Sequence, residues 1–154
     1  MKILIAVDGS SFSQEAVQEV ARRPWPADSE VRVSTVIKLP FVPTAETRSL
    51  PESDYSRLER EVTAQAQHAV DAAQEVLATA RTVASEPLAV SSSIITGNPN
   101  EMLLTEARDW QADMLVMGAR GLGGFKRFML GSVSQTLAQQ APCSVLIVRG
   151  SGAG

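Results

Sequence analysis

"ILIAVDGSSFSQEAV", residues 3–17, decides the fold. Ile3 to Val7 is a short, continuous apolar run, as expected of a strand buried on both faces of a parallel sheet. Asp8 ends it. In the polar turn "DGSSFSQ", Ser11 and Gln14 have capping-box spacing, and Ala16, Val17, Val20 and Ala21 continue as a helical stripe. Pro24 and Pro26 close that helix. A buried strand that feeds directly into an amphipathic helix is the opening of a βαβ unit.

The alternation continues outward from this unit. "VRVSTVI", Val31 to Ile37, is β-branched and reads as a second strand. "KLPFVPTAETRSLPES" carries three prolines and reads as a long, mobile loop. From about Asp54 to Arg81, Leu58, Val62, Ala69, Ala73, Val76, Leu77 and Ala80 fall near one face of a long helix. Leu88 to Thr96 is a serine-rich third strand. Asn98 as N-cap and Pro99 at the first helical position start the next helix, whose stripe is Leu103, Ala107 and Trp110. "DMLVMG" is a fourth strand ending at Gly118, "SVSQTLAQQ" a last helix, and "CSVLIVR" a fifth strand. Strands alternating with helices at this spacing specify a single α/β domain over residues 1–149: an open parallel sheet with helices on both faces and right-handed crossovers. Residues 150–154, "GSGAG", read as a flexible tail.

Composition narrows the function classes. The 154 residues are 44% hydrophobic and 20% charged, an ordinary globular balance. Fourteen basic and 17 acidic residues leave a net charge of −3, which argues against a nucleic-acid partner. The first apolar run is too short for a secretory h-region and no stretch reaches the length of a membrane span, so a cytoplasmic protein without a membrane partner is expected. Cys143, the single cysteine, cannot form an internal disulfide and fits a reducing compartment. His68 has no metal-ligating company in its helix and reads as exposed. Cys143 reads as a buried small hydrophobe, Met114 and Met117 as strand core, and Trp25 and Trp110 as helix-end residues.

Ligands of such sheets bind beyond the carboxyl ends of the strands, where the strand order reverses. Two carboxyl ends are unusual here: "DGSS" after strand one and "GARG" after strand four. If these strands are neighbours, their turns flank one crevice. The stretch "MGARGLGGFKRFMLGS", residues 117–132, concentrates glycine, and Gly131–Ser132 stands directly before the last helix. A helix N-terminus has unpaired N–H donors and a partial positive charge, and phosphate binds there readily. Ser132 and Ser134 add hydroxyls. Gly118 and Gly121 would let the turn approach a ligand, and a side chain at Gly131 would obstruct phosphate and oppose any φ > 0. This is neither a Walker loop nor a G-x-G-x-x-G fingerprint, since no Lys stands in the first frame and Lys126 replaces the third glycine of the second.

The pattern Gly118-x2-Gly121-x9-Gly131-Ser132 resembles the nucleotide motif of the universal stress protein family, written G-2x-G-9x-G-[ST]. "ILIAVDGS", "GNPNEMLL", "ADMLVMGARG" and "APCSVLIVR" extend the resemblance over the whole chain. It implies a Rossmann-like sheet of order 3-2-1-4-5 and a homodimer through the last strand, Cys143 to Val148. It also implies ATP in the crevice, with Mg²⁺ or Mn²⁺. By position, Asp8 would contact the ribose end, with Gly9 and Ser10 opening the same crevice. Val36 would meet adenine through its backbone, and Gly118 and Gly121 would line the ribose and first phosphates. Gly131, Ser132, Val133 and Ser134 would hold the outer phosphates. Lys38 departs from relatives that carry an acidic residue after strand two.

Plainer roles stand beside these. Asp8 could only cap its turn, and Gly118 and Gly121 could serve a tight turn. Gly123 and Gly124 read as loop residues, Lys126, Arg127 and Arg120 as solvated cations, and Phe125 and Phe128 as packing or dimer residues. Nothing resembles a nucleophile, base and orienter set, so a dedicated catalyst is not expected, although slow ATP hydrolysis is compatible with the residues present. The functional expectation is an ATP-binding stress-response or signalling module in which nucleotide shifts the populations of the proline-rich segment or the dimer. The competing readings are a dimeric interaction module without nucleotide and a sensor of another adenine nucleotide.

Overall fold

The structure is a computed structural model, and it describes residues 1–38, 52–122 and 130–150. The chain runs β1 (Lys2–Ala6), α1 (Ser11–Arg22), β2 (Glu30–Ile37), α2 (Glu52–Leu77), β3 (Ala89–Thr96), α3 (Pro99–Asp109), β4 (Met114–Gly118), α4 (Ser132–Gln140) and β5 (Ser144–Val148). The five strands form one parallel sheet in the order β3-β2-β1-β4-β5, the order that the family resemblance implies. Ala6 pairs with Ser34 on one side and with Met117 on the other. The carboxyl ends of β1 and β4 therefore lie side by side at the point where the chain reverses direction across the sheet.

Alternation along the central strands builds a core on each face. Ile3, Ile5, Val31, Val33 and Val116 pack with Val17 and Val20 of α1 and Val70 and Leu77 of α2. Leu4, Leu115 and Met117 pack on the other face with Leu103 of α3 and Leu137 of α4. Ile3, Leu4, Ile5 and Leu115 are fully buried, which explains the unbroken apolar runs of β1 and β4: both faces of these strands are covered by helices.

Three local expectations shift. The cap of α1 is Ser10, one residue before the expected Ser11; its Oγ accepts from the Ser13 N–H at 3.2 Å. The long helix ends at Leu77 and not near Arg81, because Thr79 N and Ala80 N fall back on the carbonyls of Val76 and Leu77 and tighten the last turn. Residues 81–83 then bridge to Pro87 and Trp25. Trp25 is thus a structural tie: it is buried, its Nε1 donates to the Val20 carbonyl at 2.8 Å, and its own carbonyl accepts from Val83 N at 2.7 Å. Asn98 and Pro99 start α3 as expected, with Asn98 Oδ1 accepting from Asn100 N at 2.9 Å. Cys143 precedes β5 and is half-buried, not buried; burial pushes its thiol pKa up. His68 is exposed, as expected. The expectations for Leu39 to Pro51, Gly123 to Phe128 and the last four residues lie outside the described residues.

Candidate functional site

A cavity of about 580 Å³ opens at the carboxyl ends of β1, β2 and β4, on the face that carries α3 and α4. Its size is that of a small-molecule or cofactor site. One end is apolar, formed by Ala6, Val36, Leu103 and Met117. The other is built from Gly118, Arg120, Gly121 and Gly131 together with Ser132, Val133 and Ser134 at the start of α4. Asp8, Ser13, Ser34 and Lys38 complete the polar wall. Asp8, Val36, Gly118, Gly121 and the four residues 131–134 are therefore gathered around one space. Gly9 and Ser10 are not on its wall. Gly9, at φ +80°, turns toward α2, where an added Cβ would lie 3.8 Å from Ala69 Cβ.

The first turn of α4 is what an anion would meet. Gly131 is the N-cap, with extended backbone (φ −64°, ψ 158°) and no side-chain cap hydrogen bond. Helix geometry leaves the amides of Ser132, Val133 and Ser134 without acceptors inside the helix, at its electropositive end. The Gly131 amide is already used, donating to the Ala119 carbonyl at 2.8 Å. Ser134 Oγ is also engaged: buried, it donates to the Gly118 carbonyl at 2.9 Å and pins α4 to the end of β4. At this site Ser134 thus offers its main chain. The exposed Ser132 is placed to offer a hydroxyl as well.

Asp8 joins the two turns of the crevice. Its Oδ1 accepts from Ser10 N at 3.0 Å and Ser10 Oγ at 2.6 Å, and its Oδ2 accepts from Leu122 N at 3.1 Å. The capping role weighed from the sequence is real, and a second role across 114 residues of chain joins it. A Cβ on Gly121 would lie 2.5 Å from Asp8 Oδ2, so a side chain there would push the carboxylate out of its present position. At Gly118 a Cβ would sit 2.6 Å from the Phe12 carbonyl group, so α1 requires that glycine. Gly131 has no comparable restriction, the nearest atom to its Cβ position being Arg120 Cα at 3.4 Å. Arg120 lies over the Phe12 ring, with its guanidinium carbon 5.6 Å from the centroid.

Sequence reading missed Ala6, Ser13, Ser34, Leu103 and Met117 as walls of the cavity. For Ser34 a signal existed: it lies two residues before Val36 and so shares its face of β2.

The model of the universal stress protein family matches residues 1–149. The chain belongs to the universal stress protein family. It is 29% identical to universal stress protein YxiE of Bacillus subtilis (strain 168) over 151 residues, covering 96% of this chain and 98% of that one. Among solved structures, the fold matches universal stress protein UspA from Lactobacillus plantarum with a TM-score of 0.72 at 23% identity, over 97% of both chains. It also matches the family protein At3g01520 of Arabidopsis thaliana, solved with AMP bound, with a TM-score of 0.63 at 16% identity, over 99% of this chain and 93% of that one. As a universal stress protein, this chain carries the family's βα order over its full described length, and among its described residues no helix is long and apolar enough to cross a membrane.

Proposed function

We propose that this universal stress protein binds ATP in the cavity, as a nucleotide-dependent stress-response or signalling module. The observation that carries the reading is the uncapped first turn of α4, which faces a space whose far end is apolar. A triphosphate takes the Ser132, Val133 and Ser134 amides, and the base takes the end walled by Val36 and Leu103. The missing side chain at Gly131 lets phosphate oxygens reach main-chain donors. Mg²⁺ or Mn²⁺, carried by the phosphates, offsets their charge. AMP bound to the Arabidopsis relative supports an adenine nucleotide as the ligand class.

The reading is of a binding protein. Asp8, the acidic side chain on the cavity wall among the described residues, is committed to three hydrogen bonds with its own chain. A homodimer through β5 belongs to the same reading, as does a cytoplasmic location. The test is to denature the purified protein, assay the supernatant for nucleotide, and titrate nucleotide-free protein with ATP, ADP and AMP. Saturable binding that strengthens with phosphate number is expected. No binding of any of the three at millimolar concentration refutes the reading and favours an interaction module without nucleotide.

A further inference from the structure

We infer that Asp8 is a positioning residue that shapes the phosphate grip through its own chain and not by touching the ligand, a role that rests on the nucleotide reading above. Residues 118–122 end β4 and turn away from it, and Arg120, Gly121 and Leu122 line the cavity. The start of this stretch is tied to α4 and β5. Gly118 O accepts from Ser134 Oγ at 2.9 Å, Ala119 N donates to Val148 O at 2.8 Å, and Ala119 O accepts from Gly131 N at 2.8 Å. Its far end is tied to Asp8, whose Oδ2 accepts from Leu122 N at 3.1 Å. Ser10 N and Ser10 Oγ hold Oδ1 in turn, so the carboxylate is fixed to the start of α1. The turn also rests directly on the N-cap of α4: a Cβ built on Gly131 would lie 3.4 Å from Arg120 Cα and 3.8 Å from Gly121 N. A shift of the turn therefore changes the space over the Ser132, Val133 and Ser134 amides.

Chemistry separates this role from a contact with the ligand. A carboxylate on the wall repels a polyphosphate, so losing its charge would by itself strengthen phosphate binding. A carboxylate bonded to a ribose would favour the nucleoside with or without its phosphates. A carboxylate that holds the turn favours the phosphates alone. Leu122 gives its main-chain N–H, and its side chain is 76% exposed, so the bond can be broken from either partner without opening the core. Asp8→Asn leaves one oxygen for Ser10 and sets an NH₂ donor against the Leu122 N–H. Leu122→Pro deletes that N–H and keeps the charge of Asp8.

The full chain, these two variants and Ser10→Ala are titrated with ATP, inorganic tripolyphosphate and adenosine, and melting is followed without ligand. Ser10→Ala removes the cap of α1 and leaves the Leu122 bond in place. Asp8→Asn and Leu122→Pro are each expected to weaken ATP and tripolyphosphate by about 3–10-fold and to leave adenosine unchanged. Ser10→Ala is expected to lower the ligand-free Tm by about 2–4 °C and to bind all three probes as the wild type does. Tripolyphosphate bound equally or more tightly by Asp8→Asn overturns the inference and leaves the nucleotide reading standing. So does a loss on adenosine as large as that on ATP, which makes Asp8 a ligand contact. A loss in Ser10→Ala as large as in Asp8→Asn overturns it too, since the effect is then one of stability. Should Asp8→Asn not fold, Leu122→Pro decides, and an unchanged tripolyphosphate affinity in it overturns the inference. If the wild-type protein binds neither ATP nor tripolyphosphate, the nucleotide reading fails and this inference with it.

Discussion

Gly118 is held as glycine by α1, Gly121 by the carboxylate of Asp8, and Gly131 by nothing inside the described chain. The motif spacing was legible in the sequence, but these separate causes were not, because each depends on an atom brought in from a distant segment. The φ > 0 argument for Gly131 does not hold either, since its φ is −64°, open to any residue. The contrast gives a prediction. Gly118→Ala drives a methyl into the backbone of α1 and should cost roughly 1–3 kcal/mol of stability, seen by denaturant unfolding without ligand. Gly131→Val should cost about 1 kcal/mol, the value of a poorer N-cap, and should weaken ATP at least about tenfold, the effect of roughly 1.4 kcal/mol. If Gly131→Val binds ATP as the wild type does, the space at Gly131 is not there for phosphate.

At the scale of elements, local signals placed every strand and helix. Continuous apolar runs named β1 and β4, and Asn98–Pro99 named the start of α3. Errors gathered at ends, where hydrogen bonds from outside the element decide the boundary. Ser10 displaces Ser11 as the cap because Asp8 fixes the Ser10 N–H and hydroxyl. The 3₁₀-like finish of α2 is set by the chain's need to reach Trp25 and Pro87, which periodicity does not report. The same limit applies at α4. Its electropositive end could be read from Gly131–Ser132, but the use of Ser134 Oγ by Gly118 and of Gly131 N by Ala119 could not. Both are bonds between the turn and β4, and they leave the next amides as the donors.

For the whole molecule, the sheet order legible in the family resemblance leaves two edges of different character. β3 presents Ser91, Ser92 and Ser93, a polar edge, whereas β5 is apolar from Val145 to Val148 and half-buried throughout that run. Among the described residues β5 pairs with β4 alone, and an apolar edge strand is a template for pairing with a second copy. Sedimentation velocity should therefore show a concentration-dependent dimer, and Val148→Lys should shift it toward monomer with the fold retained by circular dichroism. A wild-type chain that stays monomeric at high micromolar concentration contradicts the dimer. The same architecture sets β1 against β4, so that Asp8 reaches Leu122 and the cavity forms between them. The measurement that tests the central claim most directly is a ¹H–¹⁵N correlation titration of the full chain with ATP and, separately, with adenosine. The account predicts that ATP shifts the Ser132, Val133 and Ser134 amides well beyond the rest of α4, and that adenosine leaves them in place while moving β2 near Val36. ATP-saturated protein in which those three amides do not move would contradict it.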